Sequence, residues 1–141
     1  MAAATFKVRV PVRFADCDPA GIVFYPRYFE MINGVVEDWM ATALDWSFTH
    51  LVMERQEGLP TVKIDCEFLS PSRMGDELTF ELKVLKLGNS SLTLRIEAAN
   101  EGRPVLKSTN VLVYSTREGE EKSTAVPTIL RERLRAYLNE S

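Results

Sequence analysis

Asp16 and Asp18 flank Cys17 and stand directly ahead of Pro19 in the stretch DCDPAGIVFYPRYFEMI, residues 16 to 32. Proline restricts the residue before it to extended geometry, so Asp18 belongs to a loop and not to the helix that follows. A few residues on, Tyr25 and Pro26 open a helical pattern whose unpaired N–H groups and positive dipole end can hold a developing oxyanion. A carboxylate beside such donors is enough to attack an activated carbonyl, provided the leaving group departs unaided. Thioesters meet that condition, because a thiol with a pKa of about 8.5 leaves as thiolate without a dedicated general acid. Asp18 is equally suited to a plainer task, the shaping of a turn or the capping of a helix. Asp16 reads as a structural hydrogen bonder or ion-pair partner. Cys17 reads as a packed small residue, since acids on both sides raise a thiol's pKa and blunt its nucleophilicity. The single histidine, His50, lies in a polar stretch without an evident catalytic partner, which leaves a Ser-His-Asp triad unsupported. Phe24, Tyr25 and Tyr28 fit either a substrate pocket or a core, and periodicity alone does not separate the two.

The elements that must hold these residues are visible in the hydrophobic pattern. Phe6, Val8, Val10, Val12 and Phe14 alternate with Lys7, Arg9, Pro11 and Arg13, which predicts a strand with one buried face. Pro11 lacks a ladder donor and so assigns that strand to a sheet edge. From Pro26, whose fixed φ suits a first helical position, Tyr28, Ile32, Val35, Trp39, Met40 and Ala43 recur at helical spacing. Gly34 is costly inside a helix. It points to close approach by a neighbour or ligand, or to simple tolerance.

Period two returns in Val62, Ile64, Cys66 and Phe68, then in Leu78, Phe80, Leu82 and Val84. It continues in Leu92, Leu94, Ile96 and Ala98, and in the β-branched run PVLKSTNVLVYS, which suits a more central strand. Ile129, Leu130, Leu134 and Leu138 predict a closing helix. The order strand, long helix, four strands, short helix is an α+β arrangement with an antiparallel sheet and one helix against a face.

Composition excludes several functions. A chain of 141 residues, 45% hydrophobic and 26% charged, is expected to form one domain over residues 1–141 with a single core. No apolar stretch reaches membrane or signal-peptide length, so a soluble, cytoplasmic protein is expected, with no membrane partner. Two cysteines at unrelated positions make neither a disulfide framework nor a zinc site. A net charge of −3, without a basic stripe interleaved with aromatics, argues against nucleic acid.

The stretch VRFADCDPAGIVFYPRYFEMI closely resembles the N-terminal motif of the hot-dog-fold acyl-CoA thioesterases of the 4-hydroxybenzoyl-CoA thioesterase type, and the order of elements agrees along nearly the whole chain. The resemblance implies a five-stranded antiparallel sheet wrapped around the long helix, paired edge to edge in a homodimer or homotetramer. It makes Asp18 the catalytic nucleophile or base and the Tyr25 amide the oxyanion donor. Substrate contacts fall on Gly21, Ile22, Val23, Phe24, Pro26, Tyr28 and Asn33, and on Leu59, Pro60, Thr61 and Val62 of the neighbouring subunit. The chain departs from the pattern at Asn33, where the family holds an acid for a substrate hydroxyl. It departs again at Gly88 and Asn89, where the family offers arginines to the coenzyme A phosphates. Arg73, Lys86 and Arg103 are the remaining candidates for those phosphates. The expected function is hydrolysis of an aromatic or short to medium acyl-CoA thioester, without metal or bound cofactor. A non-catalytic acyl-CoA binding protein is the alternative, followed by a hot-dog hydratase or dehydratase.

Overall fold

The computed structural model describes residues 3–117 and 122–139. Its elements are β1 (Phe6–Pro11), α1 (Pro26–Asp38), β2 (Glu57–Gly58), β3 (Thr61–Phe68), β4 (Glu77–Leu87), β5 (Ser91–Asn100), β6 (Arg103–Val113), β7 (Ser115–Thr116), β8 (Lys122–Ser123) and α2 (Thr128–Arg135). Five strands form one antiparallel sheet in the order β1-β4-β5-β6-β3, and β2, β7 and β8 make a small ribbon beside it. β1 is an edge strand, where Pro11 costs no ladder bond. β6 lies inside the sheet, in keeping with its β-branched content.

Strict alternation places Leu78, Phe80, Leu82 and Val84 of β4 and Leu92, Leu94, Ile96 and Ala98 of β5 on the buried face. Against that face α1 turns Tyr28, Ile32, Val35 and Val36, continued by Trp39 and Met40. Among the described residues no helix is long and apolar enough to cross a membrane.

Four details depart from the pattern read in the sequence. Phe14 leaves the strand and is 81% exposed, because the chain turns into a single 3₁₀ turn at Phe14–Asp16 instead of continuing extended. Ala43 is exposed and Leu44 buried in its place. The helix there widens into a π turn at Trp39–Ala43, with the Leu44 N–H donating to the Trp39 carbonyl at 3.2 Å. The extra residue per turn shifts the apolar stripe by one position. Ile129 faces solvent while Leu130 and Leu134 fill the contact of α2. On β3 the apolar set Val62, Ile64 and Phe68 stays largely exposed, since β3 is the other edge of the sheet and α1 covers it incompletely. Gly34 faces open space, so nothing within the chain requires a glycine there.

Candidate active site

The loop after β1 is built by its two carboxylates. Asp16 Oδ2 accepts from the Arg13 N–H at 2.9 Å and closes the 3₁₀ turn, as expected of a structural hydrogen bonder. Asp18 Oδ1 accepts from the Ala20 N–H at 2.8 Å, while the Asp18 carbonyl accepts from the Gly21 N–H at 3.0 Å. Gly21 sits at φ +80°, a left-handed conformation that a side chain would strain. Asp18 therefore shapes a turn with one carboxylate oxygen. Its other oxygen accepts no hydrogen bond from the described residues, and the residue is only half-buried. The turn-former and the reactive carboxylate of the sequence reading are compatible in one side chain.

This loop is tied down on both sides. The Asp18 N–H donates to the Ile22 carbonyl at 2.9 Å and the Phe24 N–H to the Asp16 carbonyl at 2.9 Å. Opposite, the Val23 N–H donates to the Ser72 carbonyl at 2.9 Å and the Met74 N–H to the Gly21 carbonyl at 3.0 Å. Burial first, and then the charges of Asp16 and Asp18, push the Cys17 thiol up from its ordinary value, which suits a packed residue and not a thiolate.

The chain then enters α1 with Pro26 at the first helical position. The carbonyls of Phe24 and Tyr25 already accept from Arg27 at 2.8 Å and Tyr28 at 3.1 Å, but the Tyr25 N–H donates to no atom of the described residues. It is a free donor at the positive end of a 13-residue helix. Around it stand aromatic rings, of which Phe24, Tyr25 and Phe68 are exposed and Tyr28 is buried. Phe24 meets Tyr25 at 5.7 Å, and Phe68 of β3 meets Tyr25 at 6.0 Å, Tyr28 at 5.7 Å and Phe29 at 6.1 Å between centroids.

Tyr28 has a different part from the one its position suggested. Its hydroxyl is buried and bonded to Ser72 Oγ at 3.0 Å, so the polar end points into the protein and ties α1 to the segment that holds Val23. Burial raises the Tyr28 pKa and the Ser72 bond opposes the rise, which keeps the phenol neutral near pH 7. Tyr28→Phe leaves the fully buried Ser72 hydroxyl without this partner. It should lower the unfolding free energy by about 1–2 kcal/mol, seen as a fall in urea midpoint at unchanged slope. An unchanged midpoint would remove Ser72–Tyr28 as a structural tie.

A second group of predicted residues gathers elsewhere. A cavity of about 530 Å³ is lined by Asn33, Val36 and Glu37 of α1, by Phe48, by the run from Leu59 to Ile64, and by Leu112 of β6. Leu59, Pro60, Thr61 and Val62 thus meet Asn33 within one chain. Asn33 lies eight residues beyond Tyr25, about 12 Å along the helix axis. The structure brings Asp18, Gly21, Ile22, Val23, Phe24, Tyr25 and Pro26 together at the helix start, and separates them from the cavity by about two turns.

Of the basic candidates, Arg73 lies beside Ile22 in an antiparallel bridge, and Arg103 Nη2 donates to the Pro71 carbonyl at 3.3 Å, so both sit at the Asp18 end of the sheet. Lys86 does not join them. It is nine residues from Glu77 along β4, about 30 Å away at the far end. His50 pairs with Glu54 at 2.5 Å and stacks edge-on against Trp46 at 5.0 Å, remote from the loop. Among the described residues no cluster of His, Cys, Asp or Glu can hold a metal ion.

Sequence reasoning missed Ser72, Phe68, Phe48, Leu112 and Glu37. Helical spacing from Asn33 would have found Glu37, but no local signal marks the others, whose places are set by contacts distant in sequence.

The family model of the thioesterase-like superfamily matches residues 12–134. A 1,4-dihydroxy-2-naphthoyl-CoA hydrolase of Prochlorococcus marinus is 31% identical over 55% of this chain and 55% of its own length, so the alignment spans about half of that relative. A 1,4-dihydroxy-2-naphthoyl-CoA hydrolase of Acaryochloris marina is 30% identical over 70% of this chain and 73% of its own. The solved structure of 4-hydroxybenzoyl-CoA thioesterase from Pseudomonas sp. strain CBS-3 superposes with a TM-score of 0.85 at 24% identity, covering 93% of this chain and 99% of that one. With a family match across the loop, the long helix and the strands from β3 to β6, the chain belongs to the thioesterase-like superfamily and has its hot-dog fold.

Proposed function

We propose that the protein hydrolyses an acyl-coenzyme A thioester to a carboxylic acid and free coenzyme A, with Asp18 and the Tyr25 amide as its chemical groups and an aromatic acyl group as the favoured substrate. One observation carries this reading. The Tyr25 N–H is unpaired at the positive end of α1 and follows, on the same hydrogen-bonded loop, a carboxylate with a free oxygen.

In a nucleophilic course, the Asp18 oxygen adds to the thioester carbonyl carbon and negative charge collects on the carbonyl oxygen, which the Tyr25 N–H stabilises. The carbon–sulfur bond then breaks, coenzyme A leaves as thiolate, and water cleaves the mixed anhydride. In a general-base course, Asp18 takes the proton of a water that attacks the same carbon. Neither course needs a metal or a bound cofactor. Arg73 and Arg103, at the Asp18 end of the sheet, are the residues this reading assigns to the coenzyme A phosphates.

The relatives that act on hydroxybenzoyl- and dihydroxynaphthoyl-CoA favour an aryl group, and the aromatic rings at the helix start suit one. Free-thiol release from a panel of aryl and alkyl coenzyme A thioesters tests the reading. Saturable binding with no thiol released from any of them would leave an acyl-CoA binding protein instead.

Assembly belongs to the same reading. Val62, Ile64, Phe68, Leu69 and Met74 form an exposed apolar margin along edge strand β3 and the adjoining loop, which is the kind of surface that a second copy covers. A compact aryl group held at Tyr25 also falls short of its own chain's cavity about 12 Å away. A partner seated on β3 would bring a second helix start and a second cavity close by. Light scattering at micromolar concentration is expected to give two or four times the 16.0 kDa chain mass. A stable and fully active monomer would remove the shared site.

A further inference from the structure

The sheet face turned away from α1 carries charges in rows of like sign. On it β4 presents Thr79, Glu81 and Lys83, and β5 presents Thr93, Arg95, Glu97 and Ala99, all of them half-buried or exposed. Cross-strand pairing sets Glu81 opposite Glu97 and, two residues on, Lys83 opposite Arg95. Neighbouring strands lie about 4.8 Å apart, and like charges set directly opposite one another destabilise a sheet. Opposite signs occur along each strand instead, between Glu81 and Lys83 and between Arg95 and Glu97, at a separation of about 7 Å.

The four side chains converge on one place. With Thr5 they line a depression of about 60 Å³. Lys7 reaches Glu81 at 3.3 Å, but Lys83, Arg95 and Glu97 make no hydrogen bond or ion pair with any described residue. Arg95 Nε is buried and donates to no described residue, a costly state for a charged donor until an acceptor reaches it. The surface on either side of the quartet is low and uncharged, with Ala99 beside Pro104 and Thr93 beside Val111.

We propose that this face is an interface with a second copy of the chain, packed sheet against sheet about a two-fold axis that crosses the strands between the two charged rows. Such an axis lays the acidic row of each copy on the basic row of the other. Glu81 then meets Lys83 of the second copy, Glu97 meets Arg95 of the second copy, and symmetry repeats both pairs. Ala99 and Pro104 fall against Thr93 and Val111 of the second copy, small enough for two sheets to stack about 10 Å apart. An axis along the strands, between β4 and β5, sets Glu81 against Glu97 and Lys83 against Arg95, so the charges select the first arrangement. On β3 the acids Glu67 and Asp65 of the two copies oppose each other, at a margin that the twist of the sheets carries apart. The face is distinct from the free edge of β3 and from the Asp18 loop, and the inference holds whatever the protein hydrolyses.

Arg95→Glu and Glu97→Arg each set this contact against itself. In either variant positions 95 and 97 carry the same sign, so a copy meets its twin with two like-charge contacts in place of two ion pairs. Association through the face should weaken by about a hundredfold or more. Light scattering on the full chain, at a concentration where the parent is assembled, is expected to show each variant at half the parent's mass.

An equimolar mixture of the two variants decides the matter. There the acidic pair of one variant meets the basic pair of the other, and the parent's mass should return, which also shows that both variants are folded. Glu81→Lys and Lys83→Glu form a second couple on β4 that repeats the test if one of the first two fails to fold. A variant that keeps the parent's mass overturns the proposal, and so does a monomeric parent. Folded variants that stay at half the mass when mixed overturn the pairing of Arg95 with Glu97 across the axis, and the proposal with it.

Discussion

Asp18→Asn is expected to lower turnover of a thioester substrate by roughly 10² to 10⁴-fold, the span of general-base catalysis, and by more if Asp18 is the nucleophile. The geometry makes this substitution unusually clean. Oδ1 of Asp18 accepts from the Ala20 N–H, and the carbonyl oxygen of an asparagine amide keeps that bond, so the turn persists while the anion is lost. Binding should survive, and the loss should appear in kcat. Asp16→Asn is the internal control, because Asp16 spends Oδ2 on the Arg13 N–H and an amide oxygen can do the same. Asparagine at a reactive site can deamidate back to aspartate, so single-turnover measurements on fresh protein are paired with Asp18→Ala. Hydrolysis by both Asp18 variants within about threefold of the parent, far below the range of a catalytic base, would reduce Asp18 to its turn.

The largest effect on stability is expected at Phe80, fully buried in the middle of β4. Phe80→Ala removes the ring's transfer energy and leaves a cavity against α1, for a loss of about 3–5 kcal/mol. That corresponds to a fall in Tm of roughly 8–20 °C, to be measured at fixed protein concentration because assembly would itself raise Tm. Phe14→Ala is the counterpart. Phe14 is 81% exposed, and its truncation should stay within about 0.5 kcal/mol. A loss at Phe14 as large as that at Phe80 would mean that Phe14 is covered in the working assembly.

Phe14 and Phe80 look alike in the sequence, each closing or continuing an alternating run. Alternation reports which face a residue would occupy if the strand continued. It does not report where the strand stops, and the turn at Phe14–Asp16 is decided by the Asp16 carboxylate reaching the Arg13 amide. The long helix was legible from Pro26 to Met40, but a fixed period cannot anticipate a π turn, so Ala43 took the place that Leu44 holds.

At the site, Asp18, Tyr25 and Pro26 could be placed from local stereochemistry alone, since proline restriction and helix polarity act on near neighbours. Ser72 and Leu112 could not. Their positions depend on pairings across 44 residues for Tyr28 and Ser72 and across β3 and β6 for Thr61 and Leu112. Glu37 was within reach of helical spacing, but a surface acid on a helix is unremarkable until the wall opposite it is known to be apolar.

The web of bonds between the Asp18 loop and the segment after β3 has a consequence for how the molecule comes apart. Gly21 and Val23 are bonded to Met74 and Ser72, Val12 to Gly75 and Asp76, and Tyr28 to Ser72. These atoms bridge an edge strand, a helix entrance and the start of β4, so no one of them can fray without loosening the other two. Local opening, the ordinary weakness of a surface loop, is here coupled to the loss of the sheet's own margin. The Asp18 turn keeps its shape for as long as the fold itself endures.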